Sequence, residues 1–168
     1  MAQDGGRAAH ARISERWGLR MFRTPRLETL EHPEQHFAVG LSTTDPYNLQ
    51  GYHSPNLLAV VTEAHAVKQT HIDALKRLNP TCLIMTGNAF ATAGEFYDSH
   101  HSRRSQWTTV SISALDTPNL AAEAPDNGLA EFPGMITRAQ VSERRDDWGE
   151  ASPMYRASIL GEFPDNLD

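Results

Sequence analysis

The chain has 168 residues, with 15 Lys plus Arg against 21 Asp plus Glu, 8 His and a single Cys. That length suits one domain, and a formal net charge of −6 excludes a free-standing, non-specific nucleic-acid binder, which carries a strong positive excess. One cysteine excludes a disulfide scaffold, and the densest apolar run, residues 57–61, is far shorter than the ~20 residues of a membrane-spanning helix.

The opening Met1-Ala2-Gln3-Asp4-Gly5-Gly6-Arg7 has no apolar stretch behind it, so a cytoplasmic protein with no membrane partner is expected. Charge is unevenly spread: residues 1–30 hold six Arg against three acids, and acids dominate the rest. Arg12, Arg16 and Arg20 have the spacing of one helix face, which reads as a solvated face rather than a phosphate-contacting stripe.

Residues 1–10 read as a disordered start. A helix is expected over 9–23, with Gly18 interrupting it and Pro25 ending it. The apolar run 37–41 predicts a buried strand, and the turn formers of 42–55 predict a loop. Residues 57–61 do not alternate, so they predict a strand buried on both faces, as in a parallel sheet. Residues 66–78 follow at helical period, with Val67, His71, Leu75 and Leu78 in one stripe, and Asn79-Pro80 stops them. Residues 81–86 predict a second buried strand, and a strand–helix–strand unit of this length predicts a parallel crossover.

Gly94 precedes a short expected helix, and 107–113 alternates like a strand. Residues 115–134, with Pro118, Pro125 and Pro133, read as a long polar loop. Thr137 and Gln140 form a capping-box pattern that predicts a helix over about 138–148. Ser152-Pro153 starts another helix, and Gly161 stops it. The fold class predicted is α/β, with strands near 37–41, 57–61, 81–86 and 107–113 in a mainly parallel sheet.

Ligands of α/β sheets bind at the carboxyl ends of the strands. Here those ends are Thr62-Glu63-Ala64-His65 and Gly87-Asn88-Ala89. P-loop NTPases end an apolar strand in an Asp that holds magnesium and a Glu that polarises the attacking water. An apolar strand followed by one acid is also common in chains with no such chemistry.

The longer series is more specific. Gly51-Tyr52-His53-Ser54-Pro55, the 57–65 string, Gly87-Asn88 and Gly94-Glu95-Phe96-Tyr97 resemble the large terminase subunit of tailed phages and prophages. So do Trp107, residues 112–119, Pro133-Gly134-Met135-Ile136-Thr137, residues 148–155 and Leu160-Gly161-Glu162-Phe163-Pro164. They stand in the family's order and at close to its spacing, from about residue 10 onward.

The resemblance implies a P-loop ATPase that drives DNA into a capsid, followed by an RNase H-like nuclease. It implies ATP and Mg2+ as cofactors, and DNA, a small terminase subunit and a portal as partners. Residues 57–61 look like the Walker B strand, with Glu63 as the catalytic carboxylate and Thr62 at the magnesium-side position. Gly87-Asn88 looks like the motif coupling hydrolysis to movement, with Asn88 reading the γ-phosphate.

Three features depart from the family. No G-x-x-x-x-G-K-[ST] phosphate loop occurs in the 168 residues. Thr62 replaces the Walker B Asp and brings no charge. The nuclease residues are absent. The expected organisation is therefore a partial P-loop NTPase core over 11–164, lacking the phosphate-loop strand, with 165–168 a truncated linker toward a nuclease. The expected function is that of a terminase fragment, inactive alone. The alternatives are a non-catalytic subunit completing a split ATPase with a separately encoded phosphate-loop half, and an inert prophage remnant.

Other residues read more simply. His53, His65, His71, His100 and His101 have no metal-ligand spacing and read as surface or loop histidines. Cys82 reads as a buried, inert thiol. Ser102-Arg103-Arg104-Ser105 reads as a solvated loop, and Phe96, Tyr97, Trp107 and Trp148 read as packing residues.

Overall fold

The strands of this mixed α/β chain fall into two separate sheets. The computed structural model describes residues 18–21, 26–121 and 132–164. It divides into two units, 1–49 and 50–168. No helix among the described residues is long and apolar enough to cross a membrane.

In the first unit, β1 (Leu19–Met21), β2 (Arg26–Thr29) and β3 (Phe37–Val39) form an antiparallel sheet in that order. Leu19 pairs with Thr29, and Glu28 pairs with Phe37. The helix expected over 9–23 is a strand at 19–21; residues 9–17 and 22–23 lie outside the described residues. Gly18 supplies the reason. Its φ of +59° is a left-handed conformation that breaks a helix, and its carbonyl accepts from the Leu30 N–H at 2.9 Å. The 37–41 run does not join a parallel sheet either. It forms an antiparallel strand whose Phe37 is exposed and lies under a cation, with the Arg26 guanidinium 4.4 Å from the ring centroid.

The second unit holds the crossover predicted from the sequence. β4 (Leu58–Val61) and β5 (Cys82–Met85) pair in parallel, Leu58 against Cys82 through Val61 against Met85. Between them runs α1 (Gln69–Arg77). Asn79 ends it in the left-handed region at φ 53°, which Asn tolerates better than most residues, and Pro80 follows. Val61 of β4 packs with Ile72 of α1 and Phe96 of α2 (Glu95–His100), with Leu83 and Met85 of β5 beside them, and Ala59 is also buried.

The other face of the same strands is open. Leu58 is 57% exposed, Val60 54% and Ile84 42%, and Cys82 is exposed with them. The expectation of strands buried on both faces, with an inert Cys82, is therefore corrected. Period-2 alternation puts half of each apolar run on a face that no described element of the unit covers. The sheet itself has two strands, and each has an unpaired outer edge among the described residues.

Residues 107–113, expected as a further strand, run without strand pairing, and Val110 and Ile112 point outward at 72% exposure. They are fixed at their far end instead. The Ser113 hydroxyl donates to Ile159 O at 3.2 Å, and Ile112 O lies where a Cβ on Gly161 would come within 2.7 Å. Gly161 stands at φ +67°, so both backbone conformation and space call for glycine there.

The rear of this unit is helical and matches its sequence signals closely. α3 (Arg138–Trp148) starts on Thr137, whose hydroxyl accepts from the Gln140 N–H while Gln140 accepts from the Thr137 N–H. α4 (Pro153–Tyr155) starts on Ser152 with Pro153 at its first position and continues as one π-helical stretch, Arg156–Leu160. Leu120, Val141, Tyr155 and Ile159 form a second core. Within the stretch expected as a polar loop, Asn119 is buried. Its amide donates to Phe132 O and Ile136 O and accepts from the Phe132 N–H, anchoring the chain on both sides of 122–131. Phe163 packs among Phe96, Tyr97, His100 and His101 at centroid distances of 5.0–5.7 Å, tying the Gly161-Glu162-Phe163-Pro164 string to α2.

Candidate functional site at the carboxyl ends of the parallel strands

The ladder between β4 and β5 continues past the strands in an unequal way. The Thr86 N–H donates to Val61 O at 2.9 Å, and the next rung is the Ala64 N–H donating to Thr86 O, also at 2.9 Å. Thr62 and Glu63 lie between these rungs and are looped out into solvent. The loop needs a left-handed residue, and Glu63 occupies it at φ 52°, ψ 39°. A non-glycine residue there costs on the order of 1 kcal/mol or more. The chain then closes a 3-10 turn, Ala64–Ala66, with the Ala66 N–H donating to Glu63 O.

This turn brings His65 back between the two strand ends. Its side chain is only 17% exposed, against 71% for Glu63. The Asn88 N–H donates to His65 Nδ1 at 3.3 Å, Glu63 Oε2 lies 3.7 Å from the same nitrogen, and the ring packs edge-on to Phe90. Gly87 lies against it: an added Cβ would meet His65 Nδ1 at 3.0 Å and Ala64 N at 3.1 Å. His65 was expected as a surface or loop histidine, and it lies in the turn that follows β4. The structure makes it the side chain that joins the two loops.

No protein-family model, no curated protein and no solved structure matches the chain.

All four sequence-predicted residues, Thr62, Glu63, Gly87 and Asn88, therefore gather at one end of the β4/β5 pair, and all four are exposed. Their donor set does not by itself fit a triphosphate with magnesium. Glu63 is the one carboxylate in 62–65 and 86–90, and Thr62 offers a neutral hydroxyl. His65 stands where a side chain on Gly87 would lie, 3.0 Å from an added Cβ. Among the described residues no group of three or more His, Cys, Asp or Glu could hold a metal ion.

A second charged cluster supports this end of the sheet. Glu95 opens α2 fully buried. Its Oε2 accepts from Arg103 Nη1 at 3.0 Å, and Lys76 Nζ of α1 lies 2.6 Å from Oε1 as an ion pair without hydrogen-bond alignment. Its N–H donates to Gln69 Oε1 at 3.0 Å. Residues 102–105 are the solvated loop expected, and Arg103, its side chain 48% exposed, also pairs with Glu95. The sequence placed Glu95 in the Gly94-Glu95-Phe96-Tyr97 string and His65 at the end of the 57–65 string, but assigned neither side chain a role. Aligning the C-terminal ends of the two apolar runs, which sets 62–65 beside 86–89, was the one available signal for His65.

Proposed function

We propose that this chain is the rear part of the ATPase domain of a phage or prophage large terminase subunit, a motor for packaging viral DNA, and that alone it hydrolyses little or no ATP. What carries the reading is the ordered series of strings from Gly51 to Pro164, together with the meeting of Glu63 and Gly87-Asn88 at one end of a parallel strand pair. In this reading Glu63 is the water-activating carboxylate and Asn88 the residue that reads the terminal phosphate. ATP and Mg2+ are then cofactors of the completed domain, while DNA, a small terminase subunit and a portal are partners of the whole motor. The phosphate cradle has to come from residues outside these 168, because they contain no G-x-x-x-x-G-K-[ST].

A second reading, a non-catalytic subunit that completes a split ATPase, is favoured by one observation. The open apolar face of Leu58, Val60 and Ile84 belongs to a parallel pair, and parallel sheets are ordinarily covered on both faces. The genomic neighbourhood tests both readings. A neighbouring frame with a phosphate loop and another with nuclease aspartates are expected. Co-expression with the phosphate-loop frame should give co-purification under the split-ATPase reading and two separately eluting proteins under the inert-remnant one. A neighbourhood without any packaging genes would count against terminase origin.

A further inference from the structure

Among the described residues, both polar contacts of the His65 ring fall on one atom, Nδ1: the Asn88 amide at 3.3 Å and the Glu63 carboxylate at 3.7 Å. These two partners make opposite demands. An amide N–H can only donate, so it needs a lone pair on Nδ1; an ionised carboxylate can only accept, so it needs a hydrogen there. One nitrogen cannot satisfy both at once. The Asn88 contact is the one a lone pair on Nδ1 makes, with the ring hydrogen on Nε2 and nothing for Glu63 to accept from the ring.

We propose that His65 is a positioning residue that acts as a two-position latch between the 87–88 loop and Glu63. With Nδ1 unprotonated, the ring holds the Asn88 amide and leaves the Glu63 carboxylate free in solvent. With a proton on Nδ1, the ring must release Asn88 and pairs with Glu63 instead. The change moves one proton from solvent onto Nδ1 and breaks no bond between heavy atoms.

Three features build the latch. The left-handed turn at Glu63 returns the ring toward β5, the missing Cβ of Gly87 leaves room for it, and Phe90 limits its tilt. Helices α1 and α2 also pack on the 64–66 turn, through Ile72 and Phe96. Of their charged groups, Lys76 and Glu95 are tied to each other, and Asp73 accepts from Gln69. Asp98 accepts from Ser102, and His100 Nδ1 faces Phe96 O on its own helix. His71, Arg77 and Lys68 complete the set, and Glu63 is the one charged group in contact with the His65 ring among the described residues.

The latch is a property of this chain alone. Its consequence, that Glu63 is withdrawn from water activation while Nδ1 is protonated, rests on the function proposed above. The test is nitrogen NMR on the full 168-residue chain without nucleotide. At neutral ring charge, His65 is expected as the Nε2–H form, with a scalar coupling across the Asn88 N–H to Nδ1. Acidifying until the ring carries two protons should abolish that coupling and lower the protection of the Asn88 amide, its exchange taken relative to the intrinsic rate at the same pH, about tenfold, the worth of one hydrogen bond. His65→Gln keeps an acceptor that does not take up a proton over this range, so the protection of its Asn88 amide, taken relative to the intrinsic exchange rate at each pH, should not respond to the same acidification. A neutral ring protonated at Nδ1, an Asn88 amide indifferent to ring protonation, or an equal response in His65→Gln would each overturn the latch. Failure of ATP hydrolysis in a reconstituted domain would count against the proposed function and leave these readings unchanged.

Discussion

Val61 of β4 and Leu83 and Met85 of β5 lie against two helices and Ala59 is buried, while Leu58, Val60, Cys82 and Ile84, the alternate residues of the same strands, lie open. The chemistry of the two faces is nearly the same; only the cover differs. A strand with one wet face ordinarily alternates polar and apolar residues, as antiparallel sheets do. Here the apolar run continues through both faces, so these strands are composed for a second layer that no described element of the unit supplies. The stability of the unit must then come from the helix-covered side, and the open side should respond to association rather than to folding.

Substitutions on the two sides can break that comparison. Ile72 is 2% exposed beneath the covered face, and Ile72→Ala should cost about 3 kcal/mol in chemical denaturation. Glu95→Gln should come next, at about 2 kcal/mol, because it leaves Lys76 and Arg103 facing an uncharged group; both cations are partly solvated, which limits the loss. Glu63→Gly should leave stability unchanged or raise it by up to about 1 kcal/mol, since glycine adopts the left-handed turn without penalty. The smallest change should come from the open face, where Leu58→Thr with Ile84→Thr should shift stability by less than about 0.5 kcal/mol while reducing self-association in light scattering. A large loss of stability from that pair would show that the face is covered after all.

The rear helices were legible because their signals are local. Thr137 with Gln140, Ser152 with Pro153, and Gly161 each act within one turn of backbone, and each is found in the role its spacing predicts. The β4–α1–β5 crossover was legible because its periodicity changes cleanly from an apolar run to a helical stripe and back. What could not be read depends on partners distant in sequence. The run at 37–41 found an antiparallel neighbour in β2, and 107–113 has β-forming composition but no strand beside it. His65 and Glu95 were hidden because part of each role comes from a group that the fold brings in from far along the chain, Asn88 at 23 residues from His65 and Gln69 at 26 from Glu95. In the helix expected near the start, the described residues 18–21 are a left-handed glycine followed by a strand.

In the proposed function these 168 residues hold the water-activating end of an ATPase and lack its phosphate cradle. Steady-state Mg-ATP hydrolysis tests it most directly, measured on the purified chain alone and mixed with a phosphate-loop polypeptide encoded beside it. No turnover above the blank is expected for the chain alone, and turnover in the mixture that Glu63→Gln abolishes. Turnover by the chain alone, or turnover in the mixture that is indifferent to Glu63→Gln, would contradict it.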